Sequence, residues 1–336
     1  MTASNTHPAL NKPSTLSRRF SVAPMMDWTD KHCRFFMRLL SKRTLLYTEM
    51  VTTGALLRGD PARFLAYDQS EHPIALQLGG STPHELAACA RLAEAAGYDE
   101  VNLNVGCPSD RVQNNMIGAC LMAHPQLVAD CVMAMRDAVS IPVTVKHRIG
   151  INGRDSYDQL QEFITTVNEA GCNSFTVHAR IAILEGLSPK QNREVPPLRY
   201  DVAAQLMNDF PDLEFILNGG IKTLEEAQTH LKTFNGVMLG REAYHNPYLL
   251  ASVDQLVFGD DRAITTRHQV LQSLRPYIDK HLASGGAMHH ITRHILGLSQ
   301  GIKGGRRFRQ LLSVDVHKSS EPLRIFDQAT ELLEGH

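Results

Sequence analysis

From Phe20 to about Tyr248 the chain alternates short apolar runs with longer amphipathic ones. The apolar runs are "FSVAPM", "LLYTEMV", "PIALQLGG", "EVNLNVG", "PVTVKHRIG", "SFTVHAR", "EFILNGG" and "GVMLGREA". They are rich in β-branched residues and bounded by glycine, proline or polar residues, which predicts buried strands. The stretches between them predict helices with readable ends. Thr82 with Glu85, Ser156 with Gln159 and Thr223 with Glu226 have capping-box spacing, and Gly97 and Gly171 stand where helices stop. Roughly eight βα units over about 230 residues predict an α/β chain folded as a (β/α)8 TIM barrel. A doubly wound sheet would not usually carry so many consecutive repeats. After Tyr248 the strand signal stops, and from Thr265 onward the pattern predicts a small all-helical C-terminal domain. The expected division is a flexible lead-in over residues 1–19, a barrel over 20–250 and a helical domain over 251–336.

Composition narrows the class. Hydrophobic residues make up 43% and charged residues 21% of 336, the balance of an ordered globular chain. A net charge of −1 excludes a global positive field and hence a nonspecific nucleic-acid coat. The charge is unevenly shared. Residues Thr265 to His336 carry 10 Lys/Arg against 6 Asp/Glu, and 7 of the 16 histidines. The six cysteines (Cys33, Cys89, Cys107, Cys120, Cys131 and Cys172) form neither a CxxC pair nor a zinc-ligand spacing. The first twenty residues hold no apolar signal segment, and no run reaches the roughly 18 apolar residues of a membrane span. These features predict a cytoplasmic, metal-free, membrane-independent protein with reduced thiols, and a monomer by default.

Barrel chemistry gathers at the C-terminal ends of the strands, and polar or special residues stand at nearly every one. They are Pro24, Met25 and Met26; Glu49; Gln77; Asn104 with Cys107; Lys146 with Arg148; His178; Asn218, Gly219 and Gly220; and Gly240 with Arg241. Singly, Lys146 also reads as a salt-bridge residue and His178 as a structural histidine; their coincidence on one face is what packing alone would not select. The glycines of "ILNGGIKTLEEA" and "VMLGREA", with a helix starting near Thr223, fit a phosphate. Without a GxGxxG after the first strand a Rossmann site is excluded, and a mononucleotide such as FMN suits the set. Cys107 sits between Gly106 and Pro108, where the strand must stop. A strand-end thiol beside a flavin can move a proton, whereas the other five cysteines read as packing. Two long connections stand out: residues 108–122, read as a lid, and 181–200, rich in proline and basic residues. In the tail, "QGIKGGRRFRQLL" clusters Lys303, Arg306, Arg307 and Arg309, which reads equally as a phosphate contact or a solvated helix face.

The motifs "APMMDWTDKHCR", "LNVGCPSDRVQNNMIGACLM", "VTVKHRIG", "VHAR", "LNGGI" and "MLGREAYHNPYL" closely resemble those of the tRNA-dihydrouridine synthases, in that family's order. "YTEMVTTGALLRGD" and "EGLSPKQNREVPPLRYD" resemble its bacterial A subfamily, whose targets are uridines 20 and 20a of the tRNA D-loop. The resemblance implies an FMN-binding barrel, a helical tRNA-binding domain, and NADPH as the reductant of FMN. It implies hydride delivery to uracil C6 and a proton from Cys107 to C5. Pro24, Met25, Met26, Gln77, Lys146, His178, Asn218, Gly219, Gly220, Gly240 and Arg241 match FMN contacts. Asn104 and Arg148 match positions at the target uracil, and Lys190, Arg193, Arg306 and Arg309 match tRNA contacts. Two other readings share part of the pattern: an FMN-dependent dehydrogenase of the dihydroorotate type, and a tRNA-binding chaperone with a structural flavin. The first has no use for a basic helical tail.

Overall fold

The computed structural model describes residues 16–109 and 116–335. Residues 1–15 of the expected lead-in, and 110–115 of the expected lid, lie outside the described residues. Eight parallel strands close in sequence order into one barrel: β1 (Phe20–Val22), β2 (Leu45–Thr52), β3 (Ile74–Gly79), β4 (Glu100–Val105), β5 (Val143–Arg148), β6 (Ser174–His178), β7 (Glu214–Asn218) and β8 (Gly236–Leu239). β8 pairs back onto β1, with Phe20 opposite Val237. All eight apolar runs are strands, trimmed at their ends.

Each strand has two buried faces, and they differ in chemistry. Outward residues such as Val101, Leu103 and Val105 of β4 pack against the helices in the main core. The inward face holds only a small apolar cluster, with Leu45, Tyr47, Ala75, Ile216 and Met238. Much of the rest of the barrel interior is polar and hydrogen-bonded in series. Asn104 Nδ2 donates to Gln77 Oε1, Gln77 Nε2 to Asn102 Oδ1, and Asn102 Nδ2 to Thr144 Oγ1, each at 2.8 Å. Thr144 then donates to Glu100 at 2.6 Å, which also accepts from Tyr47 and from Arg18. This ladder links the mouth to the barrel bottom and leaves none of its amides unpaired, as burial requires.

Arg18 corrects the expectation of flexibility up to residue 19. It is buried beneath the barrel, donating to Glu100 at 2.6 Å and Glu214 at 3.0 Å. The capping predictions fare unevenly. Ser156 and Gln159 form a complete box. Thr82 caps the helix Pro83–Ala95 without a side-chain bond, and the Glu85 carboxylate, the other half of the expected box, accepts from Thr53 and Arg58. Thr223 accepts from Glu226 N, but the Glu226 carboxylate takes Lys222 N, and the helix is only Leu224–His230.

Beyond β8 the described chain is helical, mainly through Arg267–Ala283, His289–Ile295, Gly305–Gln310 and Pro322–Glu331. This region docks on the first barrel helix, Lys31–Leu40. Phe35 stacks on Tyr277 at 3.9 Å, and Asp30, which caps Lys31–Leu40, accepts from Arg293 at 2.6 Å. Among the described residues no helix is long and apolar enough to cross a membrane.

Candidate active site at the barrel mouth

β4 ends in a turn built around Asn104. Its Oδ1 accepts from both Gly106 N and Cys107 N at 3.0 Å, while its Nδ2 is tied to Gln77. The side chain therefore fixes the backbone that carries the thiol. Ala119 N donates to Cys107 O at 2.9 Å, bringing the chain back alongside. That return needs Gly118, whose φ is +86° and where a Cβ would overlap the Cys107 carbonyl. Cys107 is free and partly exposed; Cys33, Cys89, Cys131 and Cys172 are buried, as expected of packing residues.

β5 and β6 present cations to the same space. Lys146 has no hydrogen-bond or ion-pair partner among the described residues. Burial, and then the Arg148 guanidinium, press its ammonium down to about 7. His178 is pushed well below its ordinary value by burial and then by Arg148, Lys146, Arg180 and Arg193. No carboxylate stands among the groups acting most on either residue. The guanidiniums of Arg148, Arg180 and Arg193 thus hold the Lys146 amine and the His178 ring toward their neutral forms, with Glu194 acting among them on Arg180 and Arg193 alone, and this excess of positive charge is relieved by an anion.

Arg148 also braces the backbone around it through Nε and Nη1. It is 2% exposed and donates to Gly106 O, Ile181 O and Asn192 O at 2.9–3.0 Å. It thereby ties the Cys107 turn to the 181–200 connection. Within that connection Asn192 is buried and bonds Ile183 and Leu187, so the segment is an ordered platform. Lys190 and Arg193 project from it into solvent.

The strands on the far side supply glycine. Gly219 and Gly220 have φ of +114° and +75°, and a Cβ on Gly219 would lie 2.7 Å from the His178 ring. Among the described residues neither amide has an acceptor. Asn218 Nδ2 is spent on Met238 O at 2.7 Å. Gly240 faces Ala23 and Met25 with room to spare, and Arg241 pairs with Glu194 at 2.6 Å on the exposed rim. At the start of the short helix after Thr223, Lys222 N donates to the Glu226 carboxylate and Glu226 N to Thr223 Oγ1. At the β1 end, the Glu49 carboxylate accepts from Asp27 N at 2.6 Å and pins the turn that leaves Met26 56% exposed. Pro24 and Met25 lie in the same turn, with Met25 O accepting from Trp28 and Thr29.

The candidate residues at the strand ends thus gather on one face. Arg306 and Arg309 do not reach it. They lie on the surface of the C-terminal helices, while Phe308 between them is wholly buried. Three side chains escaped the sequence reading: Arg180, whose Nε is buried without a partner, and Asn102 and Thr144 of the ladder. The available signal was parity. Residues 102 and 104, 144, 146 and 148, and 178 and 180 fall at strand alternation with residues already chosen.

Comparisons with known proteins agree with this geometry. Curated relatives called tRNA-dihydrouridine(20/20a) synthase include one from Pseudomonas putida, 76% identical over 99% of this chain and 98% of its own. Another, from Salmonella typhi, is 60% identical over 94% of this chain and 95% of its own. A third, from Vibrio vulnificus, is 59% identical over 94% and 97%. A solved structure of a 2-naphthoyl-CoA reductase complex matches the fold with a TM-score of 0.55 at 12% identity, covering 70% of this chain and 50% of its own. The profile described as dihydrouridine synthase (Dus) matches residues 21–333, and with a thiol, cations and free glycine amides around one barrel mouth, the chain belongs to the dihydrouridine synthase family.

Proposed function

We propose that this chain reduces uridine to dihydrouridine in tRNA, at positions 20 and 20a of the D-loop, as a cytoplasmic monomer. In this reading residues 20–250 form the catalytic unit and 251–336 the tRNA-binding unit. FMN is the resident cofactor and NADPH its reductant. The mouth fits such a group on its own chemistry: among the described residues Lys146 has no carboxylate partner, so a bound anion would favour its charged form, and the Gly219 and Gly220 amides have no acceptor. Gly219, Gly220, Gly240 and Arg241 would hold the phosphate, with Arg241 exchanging Glu194 for it. Pro24, Met25, Met26, Gln77, Lys146, His178 and Asn218 would line the ring system. When bound, FMN supplies the hydride for uracil C6.

The remaining chemistry belongs to the chain. A uracil in folded tRNA is inaccessible to a barrel mouth, so the base is flipped out before reaction. Cys107 gives its proton to C5, and the thiolate left behind is balanced by Lys146, Arg148 and Arg193, which lie within electrostatic range of it. Asn104 holds the turn that aims the thiol. Arg148 keeps that turn against the platform carrying Lys190 and Arg193, which with Arg306 and Arg309 meet the tRNA backbone. A neutral protein with a basic tail suits recognition of RNA by shape and phosphate.

The observation that carries this reading is the Cys107 thiol, anchored through Asn104 beside Lys146 and Arg148, neither of which has a carboxylate among the groups acting most on it. Cys107→Ala tests it by single turnover on unmodified tRNA. NADPH should still bleach the flavin at the normal rate, while uridine reduction falls by about 100-fold or more. Full turnover by this variant would remove Cys107 as the acid. Reoxidation of the reduced enzyme by dihydroorotate-type acids, and not by tRNA, would overturn the substrate.

A further inference from the structure

His32, His281 and His290 are far apart in the chain and close together in space. They come from three helices: Lys31–Leu40 of the barrel, Arg267–Ala283, and His289–Ile295. One ring nitrogen from each lies within 4.8 Å of the other two. His281 Nε2 and His290 Nδ1 are 3.2 Å apart, and the His32 ring centre is 4.6 Å from that of His281. We propose that these three histidines bind a divalent transition-metal ion of the zinc class at the joint between the barrel and the C-terminal helices. Water completes the coordination.

Several features of the joint suit a metal. Ions of this class take imidazole nitrogens at about 2.0–2.1 Å in tetrahedral array, which places ligand atoms about 3.4 Å apart. The His281–His290 pair already has that spacing. His32 Nδ1 is held by Tyr277 Oη at 2.8 Å, which orients the ring and leaves Nε2 for the ion. A hydrogen bond to the second ring nitrogen is the usual support of a metal-bound histidine. The His281 ring is seated against the turn that follows its helix, where a Cβ on Gly286 would overlap it. The neighbouring carboxylate, Asp30, is committed to Arg293 and His294. A set of three imidazoles selects zinc, nickel or copper over magnesium or calcium.

The sequence shows no metal-ligand spacing because the tertiary fold assembles this set. One ligand is from the barrel and two are from the C-terminal helices, so the ion favours the docked arrangement by mass action. This role is separate from uridine reduction and does not rest on it.

The test uses the full-length, tag-free holoenzyme after chelator treatment. ZnCl2 is titrated by calorimetry, and Co2+ is titrated by visible absorption. The expected result is one ion per chain, the intense bands of four-coordinate Co2+, and a raised melting temperature. His281→Asn and His290→Asn, at partly exposed and exposed positions, should each weaken binding by about 100-fold, and Tyr277→Phe by about 10-fold. His317→Asn, beside His289 but outside the triad, should leave affinity unchanged. Failure to bind one ion, six-coordinate Co2+ spectra, or unchanged affinity in the His281→Asn/His290→Asn double variant would each overturn the proposal.

Discussion

Replacing Lys146 with methionine should make the flavin-free protein more stable and the flavin-bound protein weaker. The side chain keeps most of its length and loses its terminal ammonium, which has no carboxylate among the groups acting most on it. Its ammonium falls from 10.5 to about 7, chiefly through burial. At 1.36 kcal/mol for each tenfold step, the charged form costs the folded state on the order of 5 kcal/mol below pH 7. Water in the open mouth screens part of that, so a gain of about 2 kcal/mol is the expected reading at pH 6. The sign follows from proton counting. Between pH 7 and 10.5 the unfolded chain binds the proton and the folded chain does not, so wild-type stability rises with pH across that window. The advantage of Lys146→Met is therefore largest at pH 6 and about halved by pH 9. Urea unfolding of flavin-free wild type and variant at both pH values measures it, and flavin titration should show affinity reduced by about 10-fold or more. A variant equally destabilised at both pH values would refute the reasoning. Lys146 would then have a partner, and the mouth would not be poised for an anion.

Glu100→Gln removes the carboxylate that joins Arg18, Tyr47 and Thr144; urea unfolding should show a loss of about 3 kcal/mol, with Glu214 retaining part of the Arg18 charge. Gly118→Ala forces a Cβ onto the Cys107 carbonyl at φ +86°. Single-turnover uridine reduction should fall by about 10-fold, with NADPH-driven flavin reduction unchanged. Arg306→Ala with Arg309→Ala should weaken tRNA binding and lower the salt slope of log Kd by about 1–2, measured from 50 to 300 mM salt (roughly the range where counterion release dominates). An unaltered slope would move the contact to Lys190 and Arg193.

The barrel was legible because its signal is local and repeated. Eight apolar runs, each followed by an amphipathic stretch, have few other solutions, and the order of strands in a closed barrel follows the order in the chain. The thiol was legible for a local reason as well: glycine, cysteine and proline at a strand end mark a break in the ladder. Other features depended on partners that no local pattern identifies. Glu85 has capping spacing with Thr82, yet Thr53 and Arg58 hold it instead. Arg148 stands at a strand end, and no local pattern shows that its Nε and Nη1 also brace the carbonyls of residues 106, 181 and 192. Arg18 lies in a polar, proline-containing stretch, and only the closed barrel gives it Glu100 and Glu214.

The inward faces of β3, β4 and β5 explain why site and stability are coupled here. A barrel interior filled by branched apolar side chains would transmit little between bottom and mouth except by packing. In this chain Gln77, Asn102, Asn104 and Thr144 replace that filling with directional bonds, each amide oriented by the next. An amide flipped at one rung presents a donor where its neighbour needs an acceptor, so the whole series has one satisfied arrangement. Asn104 is its top rung, and its remaining oxygen sets the position of Cys107. The buried ion pair at Arg18 and Glu100 therefore does more than close the floor of the barrel. Through four hydrogen bonds in series it selects the orientation of the amide that aims the proton donor.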